Sequence, residues 1–155
     1  MIFKNKILGI GLPRTGTYSL KVALEILGYS AKHYPLLIED IDHYEACSEV
    51  RFSYDELEDM YPGSLYIMTI RDIEGWLASC KKHCKKRKPN WNPFWDDQSK
   101  WQSYYQNNKK LIDVINHDRL LILDVFDGDG WDKLCSFLNK QKPSISYPHT
   151  NKSNA

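Results

Sequence analysis

The chain has 155 residues, of which 42% are hydrophobic and 26% charged, so its composition suits one globular domain and excludes a disordered or collagen-like polypeptide. Its 21 Lys and Arg residues nearly balance its 20 Asp and Glu residues, and a net charge of +1 argues against a nucleic-acid-binding protein. The four cysteines form no paired CxxC clusters, which argues against a disulfide scaffold or a zinc finger.

The sequence contains no pattern typical of membrane insertion or export. No apolar run approaches the roughly 18–20 residues that a helix needs to cross a bilayer. The first residues lead directly into Ile7-Leu8-Gly9-Ile10, without the apolar core and cleavage site of a secretory signal. We therefore expect a soluble, cytoplasmic protein that forms a single domain over residues 1–155, with no membrane span and no nucleic-acid partner.

The first elements are a strand, a glycine-rich loop and a helix. Residues 6–10 form a short apolar run that predicts the strand, and the glycine-rich loop (residues 9–19) follows. Apolar residues then recur at helical spacing, at Leu20, Ala23, Leu24 and Leu27. Gly28 predicts the end of this helix, because glycine favours the left-handed conformation that closes a helix.

The middle of the chain predicts two further strands. Residues 29–34 predict a second strand, and residues 35–62 predict short helices that are broken around Ser48. Residues 65–70 are apolar and rich in residues that favour strands, which is typical of a strand buried on both faces. Asp72 is predicted to cap the next helix.

The second half predicts an irregular segment between two helices. Residues 85–98 overlap the basic run 81–88 and contain Trp91, Phe94 and Trp95, which either pack as core or line a pocket. Ser99 and Gln102 have the spacing of a capping box, which predicts a helix from there to about Asn116.

The last elements complete an alternating pattern. Residues 120–123 are apolar and predict a strand, and a helix carrying Trp131, Leu134, Cys135 and Leu138 follows. Strands that alternate with helices are typical of an α/β fold with a mainly parallel sheet, here of about four to five strands.

The glycine-rich loop predicts an anion-binding site. In an open parallel sheet, ligands bind beyond the carboxyl ends of the strands, and this loop occupies that place after the first strand. Glycines let backbone N–H groups approach an anion, the helix that follows adds its positive end, and Thr15, Thr17 and Ser19 add hydroxyl groups. A loop of this composition can equally serve only to join a strand to a helix.

The loop has the spacing of a Walker A motif but lacks its lysine. Gly11 and Gly16 enclose four residues, yet Thr17 stands where a kinase or a nucleoside triphosphatase places lysine. The cation of the loop is Arg14, two residues before Gly16. It therefore approaches an anion from within the loop rather than from the first turn of the helix.

Three separated segments carry further information. They are the loop GLPRTGTYSL (residues 11–20), the unit YPGSLYIMTIRD (residues 61–72) and the late segment GWDKLCSFL (residues 130–138). In addition, Arg71 ends a predicted strand and Ser79 follows eight residues later. Together these features resemble the sulfotransferases that use 3′-phosphoadenosine 5′-phosphosulfate (PAPS), and the likeness spans most of the chain.

The resemblance implies a fold, a cosubstrate and its binding residues. The fold is a three-layer sandwich of the P-loop NTPase type, the cosubstrate is PAPS, and no metal is implied. Residues of the loop would bind the 5′-phosphosulfate, with Arg14 also in a catalytic role: Arg14, Thr15, Gly16, Thr17, Tyr18 and Ser19. Arg71 and Ser79 would bind the 3′-phosphate, and the arginine fork suits a phosphate dianion.

The resemblance also implies a general base, because the acceptor hydroxyl or amine must lose a proton. His33, at the end of the predicted second strand, is the first candidate, and Glu49 and Asp42 are the alternatives. The acceptor would be a small molecule, a glycan or a lipid.

Two other hypotheses stay open at the level of sequence. One is a nucleotide or small-molecule kinase of the P-loop class, against which the missing Gly-Lys-Thr counts. The other is a noncatalytic nucleotide-binding relative without an acceptor pocket. The chain is shorter than most relatives, and it carries Ser48-Glu49-Val50 where they often have Asp-x-Pro.

Overall fold

A computed structural model describes residues 5–86 and 93–149 of the chain. Within these residues, five strands form one sheet in the order β2-β3-β1-β4-β5, and every neighbouring pair is parallel. The strands are β1 (Ile7–Gly9), β2 (Ala31–His33), β3 (Ala46–Ser48), β4 (Leu65–Thr69) and β5 (Leu120–Leu123). The predicted α/β class and its parallel sheet are confirmed.

Helices cover both faces of the sheet. They are α1 (Thr17–Ile26), α2 (Ile38–Asp42), α3 (Tyr54–Met60), α4 (Ile73–Lys86), α5 (Pro93–Asp96), α6 (Trp101–Val114) and α7 (Trp131–Leu138). Ile7, Leu24 and Leu134 share one apolar cluster, which places α1 and α7 on one face. Leu8 and Leu57 belong to a second cluster, which places α2, α3 and the end of α6 on the opposite face. The three-layer sandwich is confirmed.

Local chemistry explains where several elements begin and end. The carboxylate of Asp72 accepts a hydrogen bond of 2.9 Å from the backbone N–H of Gly75 and so caps α4, as predicted. Gly28 has a φ of 100° directly after α1, which confirms its predicted role. The Nδ2 atom of Asn108 donates to the carbonyl of Ile10 at 2.9 Å, so this amide ties α6 to the end of β1.

The prediction of short helices broken around Ser48 was wrong for part of that segment. Ala46–Ser48 forms β3, a fully buried strand between β1 and β2. Ala46 pairs with Ile7 on one side and with Ala31 on the other. A strand of three residues is too short to show an alternating pattern, so its position depends on the neighbours that it joins.

The predicted capping box at Ser99 was also wrong. The carboxylate of Asp97 accepts from the backbone N–H of Ser99 at 3.1 Å and caps a short 3₁₀ turn, Gln98–Lys100. The α-helix itself begins only after this turn, at Trp101. The aspartate two residues upstream therefore takes the capping role that the spacing assigned to the serine.

The segment predicted as irregular is partly helical. Helix α4 extends to Lys86, and α5 begins at Pro93, whereas residues 87–92, including Trp91, lie outside the described residues. Trp95 is only 5% exposed and packs with Trp76 and Trp101 in a third apolar cluster. Packing as core is therefore the correct interpretation for Trp95.

Two kinds of feature are absent from residues 5–86 and 93–149. No helix there has the length and apolar composition needed to cross a lipid bilayer. In the same residues, no three His, Cys, Asp or Glu side chains come together in a way that could hold a metal ion. The four cysteines are present as free thiols: Cys47, Cys80, Cys84 and Cys135.

Candidate active site

The carboxyl ends of the parallel strands meet at one edge of the sheet, and most of the predicted site residues lie there. The glycine-rich loop follows β1, His33 ends β2, Glu49 follows β3, and Arg71 comes two residues after β4. After β1 the chain first builds β2 and β3 on one side and then crosses to β4 on the other. The loop therefore lies at the switch point where ligands bind in open α/β sheets.

The first part of the loop is packed tightly against β4. A methyl group at Gly11 would overlap Thr69 Oγ1 and lie 2.6 Å from the Thr69 carbonyl oxygen, so only glycine fits there. Thr15 Oγ1 donates to the carbonyl of Leu12 at 2.5 Å and lies 2.7 Å from Thr69 Oγ1. The hydroxyl of Thr15 is therefore already hydrogen-bonded within the protein. If Thr15 binds an anion, as predicted, it does so through its backbone N–H.

The second part of the loop turns sharply into α1. Arg14 has a φ of 66° and Gly16 a φ of 89°, so two residues take the left-handed conformation just before the helix begins at Thr17. This conformation is unfavourable for an arginine and costs on the order of 1–3 kcal/mol, a strain that is often found at binding sites. The turn places the positive end of α1 at the carboxyl edge of the sheet.

Three residues predicted to bind one ligand lie in direct contact. Arg14 Nε donates to Ser79 Oγ at 3.1 Å, although 65 positions separate them in sequence. Arg71 donates from a terminal nitrogen to the Arg14 carbonyl at 3.3 Å. Trp76 Nε1 donates to the Pro13 carbonyl at 2.8 Å and holds α4 against the loop. We call Arg14, Arg71 and Ser79 the arginine cluster.

The arginine cluster concentrates positive charge. Burial and the neighbouring Arg14 charge lower the pKa of Arg71, which still stays protonated at neutral pH because arginine titrates far above it. Among the described residues, Arg71 forms no ion pair with a carboxylate, and its guanidinium lies 3.9 Å from the centre of the Phe126 ring. A bound anion would relieve the repulsion between the two guanidinium groups.

A cavity of about 230 Å³ opens beside Arg71, between the ends of β4 and β5 and helix α6. It shares Thr15 and Arg71 with the loop and the arginine cluster, so it forms part of the same edge of the sheet. Its other lining side chains include Thr69, Tyr105, Asn108, Lys109, Ile112 and Asp124. Polar groups and apolar surface therefore meet next to the cations.

A second group of residues lies on the other side of the loop, where α1 begins. Thr17 Oγ1 donates to Glu49 Oε1 at 2.7 Å. His33 Nε2 lies 3.2 Å from Thr17 Oγ1 and 3.5 Å from Glu49 Oε1. The ring of Tyr18, which is 36% exposed, meets the imidazole edge-on at 5.3 Å. We call Thr17, His33 and Glu49 the histidine cluster.

Glu49 is the buried charge of the histidine cluster. Its residue is only 6% exposed, and Arg51 donates to its second carboxylate oxygen, Oε2, at 3.1 Å. Burial raises the pKa of this carboxyl, but hydrogen bonds from His33 and Thr17 and the charge of Arg51 outweigh burial and lower it overall. Glu49 is therefore ionised at neutral pH.

Sequence reasoning did not identify Arg51 as part of the site. Its guanidinium lies between two aromatic rings, 5.0 Å from the centre of Tyr34 and 5.1 Å from that of Phe94. These contacts join the end of β3 to α5. Arg51 is the one base among nine acids in residues 39–59, a contrast in charge that could have singled it out.

Two predicted residues differ from the rest in their placement. Asp42 precedes β3 and accepts from the Tyr61 hydroxyl at 2.6 Å, close to Lys6, which precedes β1. It thus lies at the amino edge of the sheet, away from both clusters. Ser19 is fully buried in the first turn of α1, next to the loop.

The edge of the sheet thus offers cations that can hold a polyanion and, beside them, an imidazole that can take a proton. Comparison with known proteins adds independent information. A family model described as a sulfotransferase domain matches residues 6–51, 37–101 and 92–155. A search of curated proteins gave no match. Because these overlapping segments cover nearly the whole chain, it belongs to the sulfotransferase-domain family.

Proposed function

We propose that this protein transfers a sulfuryl group from PAPS to a hydroxyl or an amine of an acceptor. The observation that carries the proposal is the arginine cluster, in which Arg14 contacts both Ser79 and Arg71. PAPS bears anionic groups at both its 5′ and 3′ positions. Two adjacent guanidinium groups, one in the loop after β1 and one after β4, suit such a ligand better than they suit a single monoanion.

The two ends of the nucleotide bind to different parts of this edge. The 5′-phosphosulfate lies against the loop, where Arg14 and the backbone N–H groups at the start of α1, those of Thr17 and Ser19 included, surround it. The 3′-phosphate binds Arg71 and Ser79, which replaces the contact between Ser79 and Arg14 with a stronger charge-assisted one. The Arg14 side chain then turns to the 5′ end.

The reaction needs positioning and charge stabilisation more than covalent help. The acceptor oxygen or nitrogen forms a bond to sulfur while the bond from sulfur to the bridging oxygen breaks. The bridging oxygen keeps the electron pair and leaves with 3′-phosphoadenosine 5′-phosphate (PAP). Arg14 neutralises the charge that develops on that oxygen.

His33 takes the proton that the acceptor loses. It lies within 3.2 Å of the first residue of α1, and 28% of its side chain is exposed, so an acceptor can reach it. Asp42 lies at the opposite edge of the sheet, and Glu49 is nearly inaccessible. The position of the imidazole therefore favours His33 over both alternatives.

Calorimetric titration tests the donor. PAP should bind without magnesium and much more tightly than ATP, because Thr17 stands where a P-loop kinase needs lysine. Tight binding of magnesium-ATP with weak binding of PAP would contradict the proposal and favour a kinase.

Transfer of radiolabelled sulfate tests the reaction. PAPS carrying ³⁵S is incubated with a panel of phenols, sugars, amines and lipids, and labelled products are counted. We expect transfer to at least one class. Binding of PAP without transfer to any acceptor would instead support a noncatalytic nucleotide-binding protein.

A further inference from the structure

Glu49 is too buried, and its two carboxylate oxygens are too fully hydrogen-bonded, for it to act as the proton acceptor itself. Its Oε1 accepts from the Thr17 hydroxyl at 2.7 Å and its Oε2 accepts from Arg51 at 3.1 Å. The residue is 6% exposed, so an acceptor molecule cannot approach either oxygen without displacing these partners. A buried ionised carboxylate with fixed partners is suited to orienting a neighbour.

The neighbour that it orients is His33. The single hydroxyl proton of Thr17 is donated to Glu49, so the Thr17 oxygen can only accept a hydrogen bond from the imidazole. Both groups within reach of Nε2, Thr17 Oγ1 at 3.2 Å and Glu49 Oε1 at 3.5 Å, are therefore acceptors. Nε2 must carry a proton, and in the neutral imidazole the lone pair then lies on Nδ1.

The backbone supports this arrangement at two unusual residues. Tyr34 and Glu49, which directly follow β2 and β3, both have a φ of 54°, a conformation that is unfavourable for residues other than glycine. The backbone N–H of Tyr34 donates to the Ser48 carbonyl at 2.8 Å, so the two turns are joined. Strain of this kind is retained where the surroundings enforce it, which is common at functional sites.

We infer that Glu49 is a positioning residue that fixes His33 as its Nε2–H tautomer, so that Nδ1 is the atom that receives the acceptor proton. The inference rests on the proposed function for the role of His33 as base. The charged and titratable groups that face the imidazole are Glu49, Arg51 behind it, and Tyr18, whose ring Lys21 Nζ approaches to 5.6 Å. Among the described residues, no protein group forms a hydrogen bond with Nδ1.

Long-range ¹H–¹⁵N NMR on the full chain, uniformly labelled with ¹⁵N, reads the tautomer without any substrate. The resonances of His33 are assigned by their loss in His33→Gln. At a pH where the imidazole is neutral, we expect only the Nε2–H form, with an Nε2 proton protected from exchange with water. A mixture of tautomers, an Nδ1–H form or an unprotected proton would overturn the inference.

Substitutions at Glu49 test its role directly. In Glu49→Gln and in Glu49→Asp, which withdraws the carboxylate by one methylene, we expect a mixed tautomer and loss of the protected Nε2 proton. Arg51→Lys, which keeps a cation beside Glu49, is the matched control and should retain the wild-type tautomer. A wild-type His33 spectrum in either folded Glu49 variant would show that Glu49 does not set the tautomer.

The outcome is separable from that of the proposed function. Titration of PAP into the wild-type protein tests the nucleotide site alone. If PAP does not bind but the tautomer depends on Glu49, the proposed function fails and the placement of His33 stands. If PAP binds but the tautomer does not depend on Glu49, only the present inference fails.

Discussion

Individual side chains determine where positive and negative charge lies at the carboxyl edge of the sheet. Arg14 and Arg71 come from loops after different strands, yet a hydrogen bond of 3.3 Å links them. This hydrogen bond runs to the Arg14 backbone carbonyl, and the Arg14 charge, together with burial, lowers the pKa of Arg71; an anion bound beside both side chains would reduce the repulsion between them. On the other side of the loop, Thr17 and Arg51 keep the buried Glu49 ionised.

Removal of the Arg71 guanidinium tests its proposed contact with the 3′-phosphate. Arg71→Ala should weaken PAP binding by about 2–4 kcal/mol, the range expected when one partner of a desolvated charge pair is lost. Calorimetry measures the dissociation constant. Arg119→Ala is the matched control, because Arg119 pairs with Glu58 and precedes β5, at the amino edge of the sheet. An unchanged dissociation constant in folded Arg71→Ala would remove Arg71 from the site.

The lowered pKa of Glu49 predicts a dependence of stability on pH. A carboxyl whose pKa is lower in the folded protein than its ordinary 4.5 stabilises the fold at pH values above 4.5. This contribution is lost as the pH falls through the lower, folded value. Urea unfolding between pH 3 and pH 7 should therefore show a shallower loss of stability in Glu49→Gln than in the wild type. Equal slopes would contradict the ionised state assigned to Glu49.

At the scale of elements, α4 holds the glycine-rich loop in place. Trp76 is fully buried, and its Nε1 donates to the Pro13 carbonyl at 2.8 Å, so the helix that follows β4 is tied to the loop that follows β1. Ser79 lies on the same helix and contacts Arg14. The position of α4 therefore sets the distance between the two halves of the proposed nucleotide site.

Loss of the indole hydrogen bond should affect both stability and binding. Trp76→Phe keeps an aromatic ring but leaves the Pro13 carbonyl unsatisfied, which should cost about 1–3 kcal/mol in the free energy of unfolding. We also expect weaker binding of PAP, because the loop is released from α4. Urea unfolding and calorimetry measure the two effects.

Trp131→Phe provides the control for this substitution. Trp131 Nε1 donates to the Ile145 carbonyl at 2.8 Å, so the same change removes the same kind of hydrogen bond elsewhere in the chain. It should lower stability by a similar amount and leave PAP binding unchanged. If both variants weakened PAP binding equally, the specific link between α4 and the loop would be contradicted.

Elements with a strong local pattern could be predicted from the sequence, and short ones could not. The helix that Gly28 closes could be predicted from apolar spacing and glycine chemistry, and so could the strand within residues 65–70. β3 could not be predicted, because a strand of three residues shows no alternating pattern and its place in the sheet is set by β1 and β2. The start of α6 was misassigned because Asp97 caps a 3₁₀ turn that contains Ser99, so the α-helix begins only at Trp101.

At the scale of the whole molecule, the parallel order of the strands brings distant residues to one edge. Arg14, Arg71 and Ser79 could be predicted as a group because each lies in a recognisable motif, and the fold places them in contact. Their roles in binding stay predictions. The link from Glu49 to Thr17 could not be predicted, because it depends on β3 and on a left-handed turn that no local pattern indicates.

In the proposed function, one nucleotide with phosphates at both ends binds across the loop and the arginine cluster. The most direct test compares the affinities of PAP and adenosine 5′-monophosphate for the wild-type protein by calorimetry, without magnesium. We expect PAP to bind about 10- to 100-fold more tightly, because only PAP places a phosphate on Arg71 and Ser79. Equal affinities of the two nucleotides would contradict it.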